Sequence, residues 1–159
     1  MERLFTPWRM QFVAGGQQAD CLFCAKSRDT RDAENLVLHR SDQSFILLNL
    51  YPYNSGHLMV APLLHIADLD ALPASVSADL WALTQRAVAA LSAEYRPDGY
   101  NIGMNLGRAA GAGVPDHLHL HVVPRWSGDA NFMPVTADTK VLPETPDQTY
   151  RRLRPYFET

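Results

Sequence analysis

The chain has 159 residues, of which 47% are hydrophobic and 19% charged, and this size and balance predict one globular domain with a substantial core. A formal net charge of −3 without a block of like charge argues against a nucleic-acid partner and a basic membrane-binding patch. No apolar stretch reaches the roughly 18 residues that span a bilayer, and the N-terminus lacks the apolar core of a signal peptide. We therefore expect a cytoplasmic protein.

The first half of the chain predicts an arm followed by three strands. Residues 1–32 are rich in Gly, Gln, Asp and Arg, and we expect an extended arm that carries a knuckle at the Cys-x-x-Cys pair. Short apolar runs separated by turn residues then predict three strands. These strands are Leu36–His39, Ser44–Asn49 and His57–Ala61, with a loop over residues 49–56.

The second half predicts one long helix and two further strands. Apolar residues recur every three or four positions over Ser77–Arg96, which predicts a helix with Ser77 as its N-cap and Pro97 as its stop. The fourth strand is predicted over Tyr100–Asn105, and the fifth in the histidine-containing run after Pro115.

The C-terminal tail, residues 143–159, is predicted to add a short helix that begins near Pro146. Strands that follow one another with a single long helix inserted favour an α+β fold over a doubly wound parallel sheet. The whole chain is thus predicted to be one domain built on a five-stranded antiparallel sheet, with one long helix and a short C-terminal helix.

The run from Asp116 to Arg125 is the most informative stretch for function. Its three histidines alternate with three apolar residues, in the order His117, Leu118, His119, Leu120, His121 and Val122. Successive side chains of a strand point to opposite faces, so the imidazoles are expected to share one face and the apolar side chains the other. The apolar face can pack against a core, and the imidazole face is left for chemistry near neutral pH.

Three interpretations of the imidazole face are open. The histidines can be the solvated side of a half-buried strand, although strict alternation of three of the chain's six histidines disfavours this. They can bind a metal, because His-x-His on a strand supplies two zinc ligands. One of them can instead attack phosphorus as a neutral imidazole, if a neighbour orients it and another donates a hydrogen bond to the developing charge.

The segment between the last two predicted strands, Asn105 to Pro115, has almost no side-chain bulk. Small residues let backbone N–H groups approach a ligand closely, so this loop is either a phosphate cradle or a flexible hairpin connection. Its position directly before the histidines favours the cradle. The sequence matches neither a P-loop nor a dinucleotide-binding glycine motif. Arg125, after the histidines, offers a guanidinium that can hold a second anion such as orthophosphate.

Cys21 and Cys24 form half of a zinc site or a redox pair. Redox chemistry of the thioredoxin type places the pair at the start of a helix, and here a polar, helix-poor region is expected after Cys21. Together with His65 and His117, the two cysteines would complete a closed, and therefore structural, tetrahedral zinc site, one per chain.

His117-Leu-His-Leu-His-Val-Val123 resembles the His-φ-His-φ-His-φ-φ signature of the histidine triad superfamily of nucleotidyl hydrolases and transferases, where φ is apolar. Further segments are similar to the diadenosine tetraphosphate phosphorylase branch of that superfamily. They are Leu4-Phe-Thr-Pro-Trp-Arg-Met10, Tyr51-Pro-Tyr-Asn-Ser-Gly-His57-Leu-Met-Val-Ala-Pro62, the small-residue loop and His121-Val-Val-Pro-Arg-Trp-Ser-Gly-Asp-Ala-Asn-Phe132. The resemblance covers nearly the whole chain. It implies a five-stranded antiparallel sheet and a homodimer whose sheets join.

The resemblance also implies roles for individual residues. His119 would be the nucleophile, His121 would contact the α-phosphate, His117 would lie behind the nucleophile or on zinc, and His57 would lie near the same cluster. Asn49 corresponds to a nucleoside-pocket position, and Asn105 with the backbone of Ala112 and Gly113 to phosphate contacts. The zinc ligands of members that carry zinc correspond to Cys21, Cys24, His65 and His117. Many relatives have Ser or Gln where this chain has Gly113, so a side-chain contact to phosphate is absent.

The function expected from these residues is cleavage of purine dinucleoside polyphosphates through a nucleotidyl-histidine. Transfer to orthophosphate gives phosphorolysis, which yields ADP and ATP from diadenosine tetraphosphate, and transfer to water gives hydrolysis. A nucleoside phosphoramidase and a non-enzymatic nucleotide-binding sensor are the alternatives.

Overall fold

A five-stranded antiparallel sheet forms the centre of the computed structural model, which describes residues 21–129 and 142–158. The spatial order of the strands is β1-β2-β3-β5-β4. Their bounds are β1 Val37–Arg40, β2 Ser44–Leu48, β3 Leu58–Pro62, β4 Gly99–Met104 and β5 Leu120–Arg125. The prediction of five antiparallel strands in an α+β fold is confirmed.

Strand β5 begins later than the sequence predicts. Of the three alternating histidines, only His121 lies within the strand, and His117 and His119 precede it. The backbone explains the difference, because the Leu118 N–H donates to the Ile66 carbonyl at 2.7 Å, outside the sheet ladder. The chain nevertheless stays extended enough to keep Leu118 and the apolar residues of β5 in the core.

Helix α3, the longest helix of the described chain, covers one face of the sheet. It spans Ala74–Tyr95, starting three residues before the predicted N-cap, so Ser77 lies inside the helix and donates its backbone N–H to Pro73. The helix ends as expected, with Arg96 in the left-handed conformation just before Pro97. Its buried side chains pack with those of the sheet in a core that includes Leu80, Leu83, Ala87, Leu91, Leu118, Leu120 and Val122.

A second, smaller cluster lies on the other face of the sheet, around Phe23, Phe45 and Met59. Phe23 belongs to helix α1, which spans Leu22–Arg28, and the one-turn helix α2 follows over Asp32–Asn35. The expectation of an extended arm is therefore wrong for these residues, and the rest of that arm, residues 1–20, lies outside the described chain.

Two features explain why the segment after Cys21 is helical. Phe23 is 1% exposed and ties the helix to the apolar cluster, which composition alone did not indicate. Arg40 of β1 binds the other end, donating hydrogen bonds to the backbone carbonyls of Lys26, Ser27 and Asp29. Tertiary contacts thus stabilise a helix too short to persist alone.

The C-terminal tail forms the predicted short helix α4, Pro146–Leu153, followed by a 3₁₀ turn over Arg154–Phe157. Thr145 and Gln148 form a reciprocal capping box at its start, which satisfies two N–H groups that a helix leaves unpaired. None of the helices within the described ranges combines the length and apolar character needed to cross a bilayer.

His39 joins β1 to α3 and the C-terminal turn. Its Nε2 accepts a hydrogen bond from Arg86 at 3.0 Å, and its ring stacks on Phe157 with centroids 6.2 Å apart. Burial, followed by the charges of Arg86 and Arg154, lowers the pKa of His39 below its ordinary value, against the Phe157 backbone hydrogen bond and Asp79. The folded protein therefore favours neutral His39.

We expect His39 to make the protein less stable as the pH falls through about 6.5. Because the folded pKa is lowered, the unfolded chain takes up a proton in this window that the folded chain does not, so stability rises with pH there. The contribution is complete above the unfolded pKa and is lost as the pH falls toward the folded pKa. Melting temperatures of wild type and His39→Gln between about pH 8 and about pH 5 test this. As the pH falls, the melting temperature of wild type should decrease more than that of the variant. A difference in melting temperature that stays constant with pH would contradict the prediction.

Gly56 fixes the turn that leads into His57. It has φ +78°, and a Cβ there would lie 3.0 Å from Leu91 Cδ2 and 3.2 Å from Pro124 Cγ. We expect Gly56→Ala to lower the free energy of unfolding by about 2 kcal/mol or more, through backbone strain and overpacking. Gly99→Ala is the matched control, because no described heavy atom lies within 4 Å of its added Cβ. Equal denaturation midpoints for the two variants would show that Gly56 is not constrained.

Candidate functional site

Four imidazoles lie in a row along one side of the sheet. His57 directly precedes β3, His121 lies in β5, and His117 and His119 lie just before β5. The ring centroids of His119 and His121 are 4.9 Å apart, and those of His57 and His121 are 5.1 Å apart. The apolar residues that alternate with the triad are in the core beneath α3. The structure thus brings together the four histidines that the sequence singled out.

His119 is held in one tautomer. Its Nδ1 lies 2.9 Å from the His117 carbonyl oxygen, and since a carbonyl only accepts, Nδ1 carries the proton and donates. The other ring nitrogen, Nε2, therefore keeps its lone pair. His119 is only 6% exposed, and this burial lowers the pKa of His119 below its ordinary value. A neutral imidazole with a directed Nε2 lone pair is the form that can act as a nucleophile.

A chain of hydrogen bonds sets the tautomer of His121 as well. The Tyr53 backbone N–H donates to His57 Nδ1 at 3.0 Å, so the proton of His57 is on Nε2. His57 Nε2 lies 2.9 Å from His121 Nδ1 and donates to it, which leaves the proton of His121 on Nε2. His119 Nε2 therefore carries a lone pair that can attack phosphorus. His121 Nε2 carries a proton that can be donated to a phosphate oxygen.

The two cysteines and two histidines form a cluster whose four ligand atoms lie within 4.8 Å of one another. Cys21 Sγ is 3.2 Å and Cys24 Sγ 3.6 Å from His117 Nδ1, and Cys24 Sγ is 3.3 Å from His65 Nδ1. His117 Nε2 donates to the Pro62 carbonyl at 2.9 Å, which directs the Nδ1 lone pair at the sulfurs. Two thiols and two imidazoles converging in this way can hold a metal ion.

The helix after Cys21 changes one argument about the cysteines. A Cys-x-x-Cys pair at the start of a helix does occur here, contrary to the expected helix-poor region. The sulfurs nevertheless converge on imidazole nitrogens, and both cysteines are free thiols. The cluster geometry favours metal binding over redox chemistry, because both sulfurs and two imidazole nitrogens converge as a tetrahedral zinc site requires.

The small-residue loop contains a 3₁₀ turn over Arg108–Ala110. Gly111 has φ +86°, and the Ala112 N–H donates a hydrogen bond to the Gly107 carbonyl at 3.3 Å. Met104, the last residue of β4, pairs with Leu120, the residue after His119, and Asn105 follows Met104 at the start of the loop. The loop that contains Gly113 therefore begins one residue beyond this pair. Its role as a phosphate cradle remains a prediction.

Two predicted site residues have partners within the protein. The Asn49 side chain accepts the Tyr51 N–H at 2.9 Å and so organises the start of its loop. Arg125 forms a bidentate ion pair with Asp129, at 2.6 and 2.7 Å, and donates to Asn101 at 2.6 Å. The same hydrogen bonds from Arg125 hold the pKa of Asp129 below its ordinary value.

The structure does not place Arg125 beside the histidines as a phosphate ligand. It ends β5, four residues after His121, which at the usual rise of a strand is roughly 13 Å away. Its guanidinium instead stabilises the turn before Asp129 by pairing with the Asp129 carboxylate. That carboxylate also accepts a hydrogen bond from the Asn54 side chain at 2.9 Å. An acidic partner four residues along the chain satisfies the guanidinium locally, and a role for Arg125 in holding a second anion stays a prediction.

Two aromatic rings next to the imidazoles were not identified from the sequence. Phe23 lies against His117 and His119, with centroids 5.1 and 4.7 Å away. Tyr53 lies against His57 at 4.7 Å and stacks on His121 at 5.8 Å. The sequence offered one indication for Phe23, its position between the two cysteines. A metal site that includes a triad histidine places the residues between its cysteines close to the triad as well.

Known proteins with named activities resemble the chain over much of its length. A protein named AP-4-A phosphorylase from Mycobacterium tuberculosis (strain ATCC 25618 / H37Rv) is 40% identical over 161 residues, which covers 96% of this chain and 83% of the relative. Adenylylsulfatase HINT3 from Arabidopsis thaliana is 32% identical over 112 residues, covering 70% of this chain and 55% of the relative.

The solved structures agree with the sequence comparisons. The crystal structure of a Zn-bound histidine triad family protein from Mycobacterium smegmatis matches with a TM-score of 0.68 and 30% identity, covering 86% of this chain and 92% of that one. The model of the HIT domain matches residues 30–128, a segment that contains all four imidazoles of the row. The resemblance noted in the histidine motif is thereby confirmed, and the chain belongs to the HIT domain family.

Proposed function

We propose that this chain cleaves dinucleoside polyphosphates through a covalent nucleotidyl group on His119. The observation that carries the proposal is the hydrogen bond from His119 Nδ1 to the His117 carbonyl, which leaves Nε2 as a neutral nucleophile. The 40% identical relative named AP-4-A phosphorylase supports this substrate class.

The first chemical step forms a bond between His119 Nε2 and the α-phosphorus and breaks the bond from that phosphorus to its bridging oxygen. The departing nucleotide takes the electron pair of the broken bond. His121, with its proton on Nε2, donates to an α-phosphate oxygen as charge builds there. The catalytic contribution comes from positioning and charge stabilisation, as expected for transfer of a phosphorus group.

In the second step, an acceptor oxygen attacks the same phosphorus and His119 departs as a neutral imidazole. We propose orthophosphate as the acceptor, on the basis of the relative's name. Hydrolysis is the second candidate. One observation favours water, because Arg125 pairs with Asp129 and Asn101 rather than offering a free guanidinium to an anion.

The Cys21, Cys24, His65 and His117 cluster is proposed to hold one structural zinc ion. Two thiolates and two imidazoles fit the tetrahedral preference of zinc, and the ligand atoms already lie within 4.8 Å of one another. The Zn-bound relative from Mycobacterium smegmatis supports the same metal. In a closed site of this kind the ion stabilises the fold and leaves no open position for substrate.

The remaining parts of the proposal concern binding and assembly. Asn49 is proposed to line the nucleoside pocket of a purine nucleotide, while Asn105 and the backbone at Ala112 and Gly113 contact phosphate. The protein is proposed to be a cytoplasmic homodimer that binds neither nucleic acid nor membranes. Residues 1–159 are proposed to form one domain.

The acceptor is tested by analysing the products of diadenosine tetraphosphate cleavage with and without orthophosphate. Phosphorolysis predicts ADP plus ATP, with a rate that depends on added phosphate. AMP plus ATP at a rate independent of phosphate would identify a hydrolase. Turnover of nucleoside phosphoramidates alone would identify a phosphoramidase, and nucleotide binding without any turnover would identify a sensor.

A further inference from the structure

Phe23 connects the metal cluster to the candidate nucleophile. It lies between Cys21 and Cys24 on helix α1 and is 1% exposed. Its ring lies 4.7 Å from the His119 ring, at an interplanar angle of 31°, and 5.1 Å from the His117 ring, at 38°. The ring therefore covers the imidazoles of both the nucleophile and a metal ligand.

The hydrogen bond to the His117 carbonyl does not by itself fix the His119 ring. A single hydrogen bond at Nδ1 sets the tautomer, but the imidazole can still tilt about that contact, which swings Nε2 away from a line of attack. The Phe23 ring, tilted by 31° and with its centroid 4.7 Å away, blocks tilting of the imidazole toward that side and keeps water from that side. Two contacts of different kinds, one at an edge and one on a face, together define the ring orientation.

We propose that Phe23 is a positioning residue for His119, placed by the metal cluster on either side of it. Because Cys21 and Cys24 flank Phe23, the contacts that fix the two sulfurs also fix the aromatic ring. The cluster then acts on the nucleophile by two routes, through the His117 carbonyl and through Phe23. This inference rests on the proposed function in that it assigns Phe23 to the same nucleophile.

The test compares Phe23→Leu with Phe45→Leu. Phe45 belongs to the same apolar cluster, is 0% exposed and meets Phe23 edge-on at 6.4 Å. Its described aromatic and cation contacts are with Phe23 and Arg40. Each variant thus removes one phenyl ring from the same cluster, but only Phe23→Leu removes the ring that lies against His119. Phe23→Met, which keeps more of the volume, is the second variant.

Two readouts are needed, and one is independent of any substrate. With diadenosine tetraphosphate, Phe23→Leu should lower kcat about 10-fold or more and change KM by less than about 2-fold, since misplaced reacting atoms cost rate rather than binding. Phe45→Leu should keep kcat within about 2-fold. Spectra of ¹⁵N-histidine protein should show the Nδ1–H proton of His119 hydrogen-bonded and slow to exchange with water in wild type and Phe45→Leu. In Phe23→Leu and Phe23→Met this exchange should be about 10-fold faster or more, because the imidazole can then tilt away from the His117 carbonyl.

Each outcome supports or overturns the assignment. Exchange of the His119 Nδ1–H proton as slow in both Phe23 variants as in wild type, or equal losses of kcat in Phe23→Leu and Phe45→Leu, would show that Phe23 only fills space. Zinc content and melting temperature, measured for every variant, separate loss of the metal from loss of the ring. If wild type cleaves no dinucleoside polyphosphate, the proposed function is wrong, and the exchange rate of the His119 Nδ1–H proton still decides the role of Phe23.

Discussion

Replacing His119 by asparagine should lower kcat by about 10³-fold or more while the protein still folds and binds nucleotide, because loss of a covalent nucleophile removes the whole two-step route. The folded state should persist because Leu118 and Leu120, on either side of His119 in the chain, remain in the core beneath α3. Turnover of diadenosine tetraphosphate and equilibrium binding of a nucleotide product measure the two properties separately.

His39→Asn is the matched control for His119→Asn. It makes the same chemical change on β1, where His39 contacts Arg86 and Phe157 rather than the imidazole row. At a pH well above about 6.5, its turnover should equal that of wild type. Near-normal turnover by His119→Asn would contradict the proposed mechanism.

Cys24→Ser should remove the metal and lower the melting temperature by about 10 °C or more, since a domain of this size shifts by roughly 2–4 °C per kcal/mol. The reason is that Cys24 Sγ lies 3.3 Å from His65 and 3.6 Å from His117, so it is the sulfur that links both imidazoles. Metal binding to a site assembled by folding adds directly to folding stability. Metal analysis should give about one zinc per wild-type chain and much less in the variant.

Chelation provides the control for Cys24→Ser. A strong chelator should lower the melting temperature of wild type to near that of the variant and leave the variant unchanged, because both treatments remove the same contribution. Wild-type protein that is free of metal and as stable as the metal-loaded protein would eliminate the site. Cys21 and Cys24 would then be ordinary thiols.

The parts of the fold that follow from local pattern were predictable from sequence. The periodicity of α3, the five strand segments and the start of α4 near Pro146 are short-range features, and each appears within a few residues of its predicted place. The start of β5 and the helix α1 were missed because contacts distant in sequence decide them. Ile66 takes the Leu118 N–H out of the ladder, and Arg40 holds the carbonyl end of α1.

The candidate site shows the same division. The alternation of His117, His119 and His121 could be read directly, because the side-chain period of an extended chain is two. The partners of each imidazole could not be read in this way. The tautomer of His121 depends on the Tyr53 N–H, reached through His57, and the Arg125 guanidinium is neutralised by Asp129. These are geometric outcomes of folding that residue type alone does not indicate.

The central claim is that a nucleotidyl group forms on His119 Nε2. The most direct measurement is to quench wild type during turnover of diadenosine tetraphosphate, digest it under basic conditions that preserve a phosphoramidate, and locate the modified peptide by mass spectrometry. We predict an AMP adduct on His119 that is acid-labile and absent from His119→Asn. Turnover without a covalent adduct, or an adduct on His117 or His121 instead, would contradict the account.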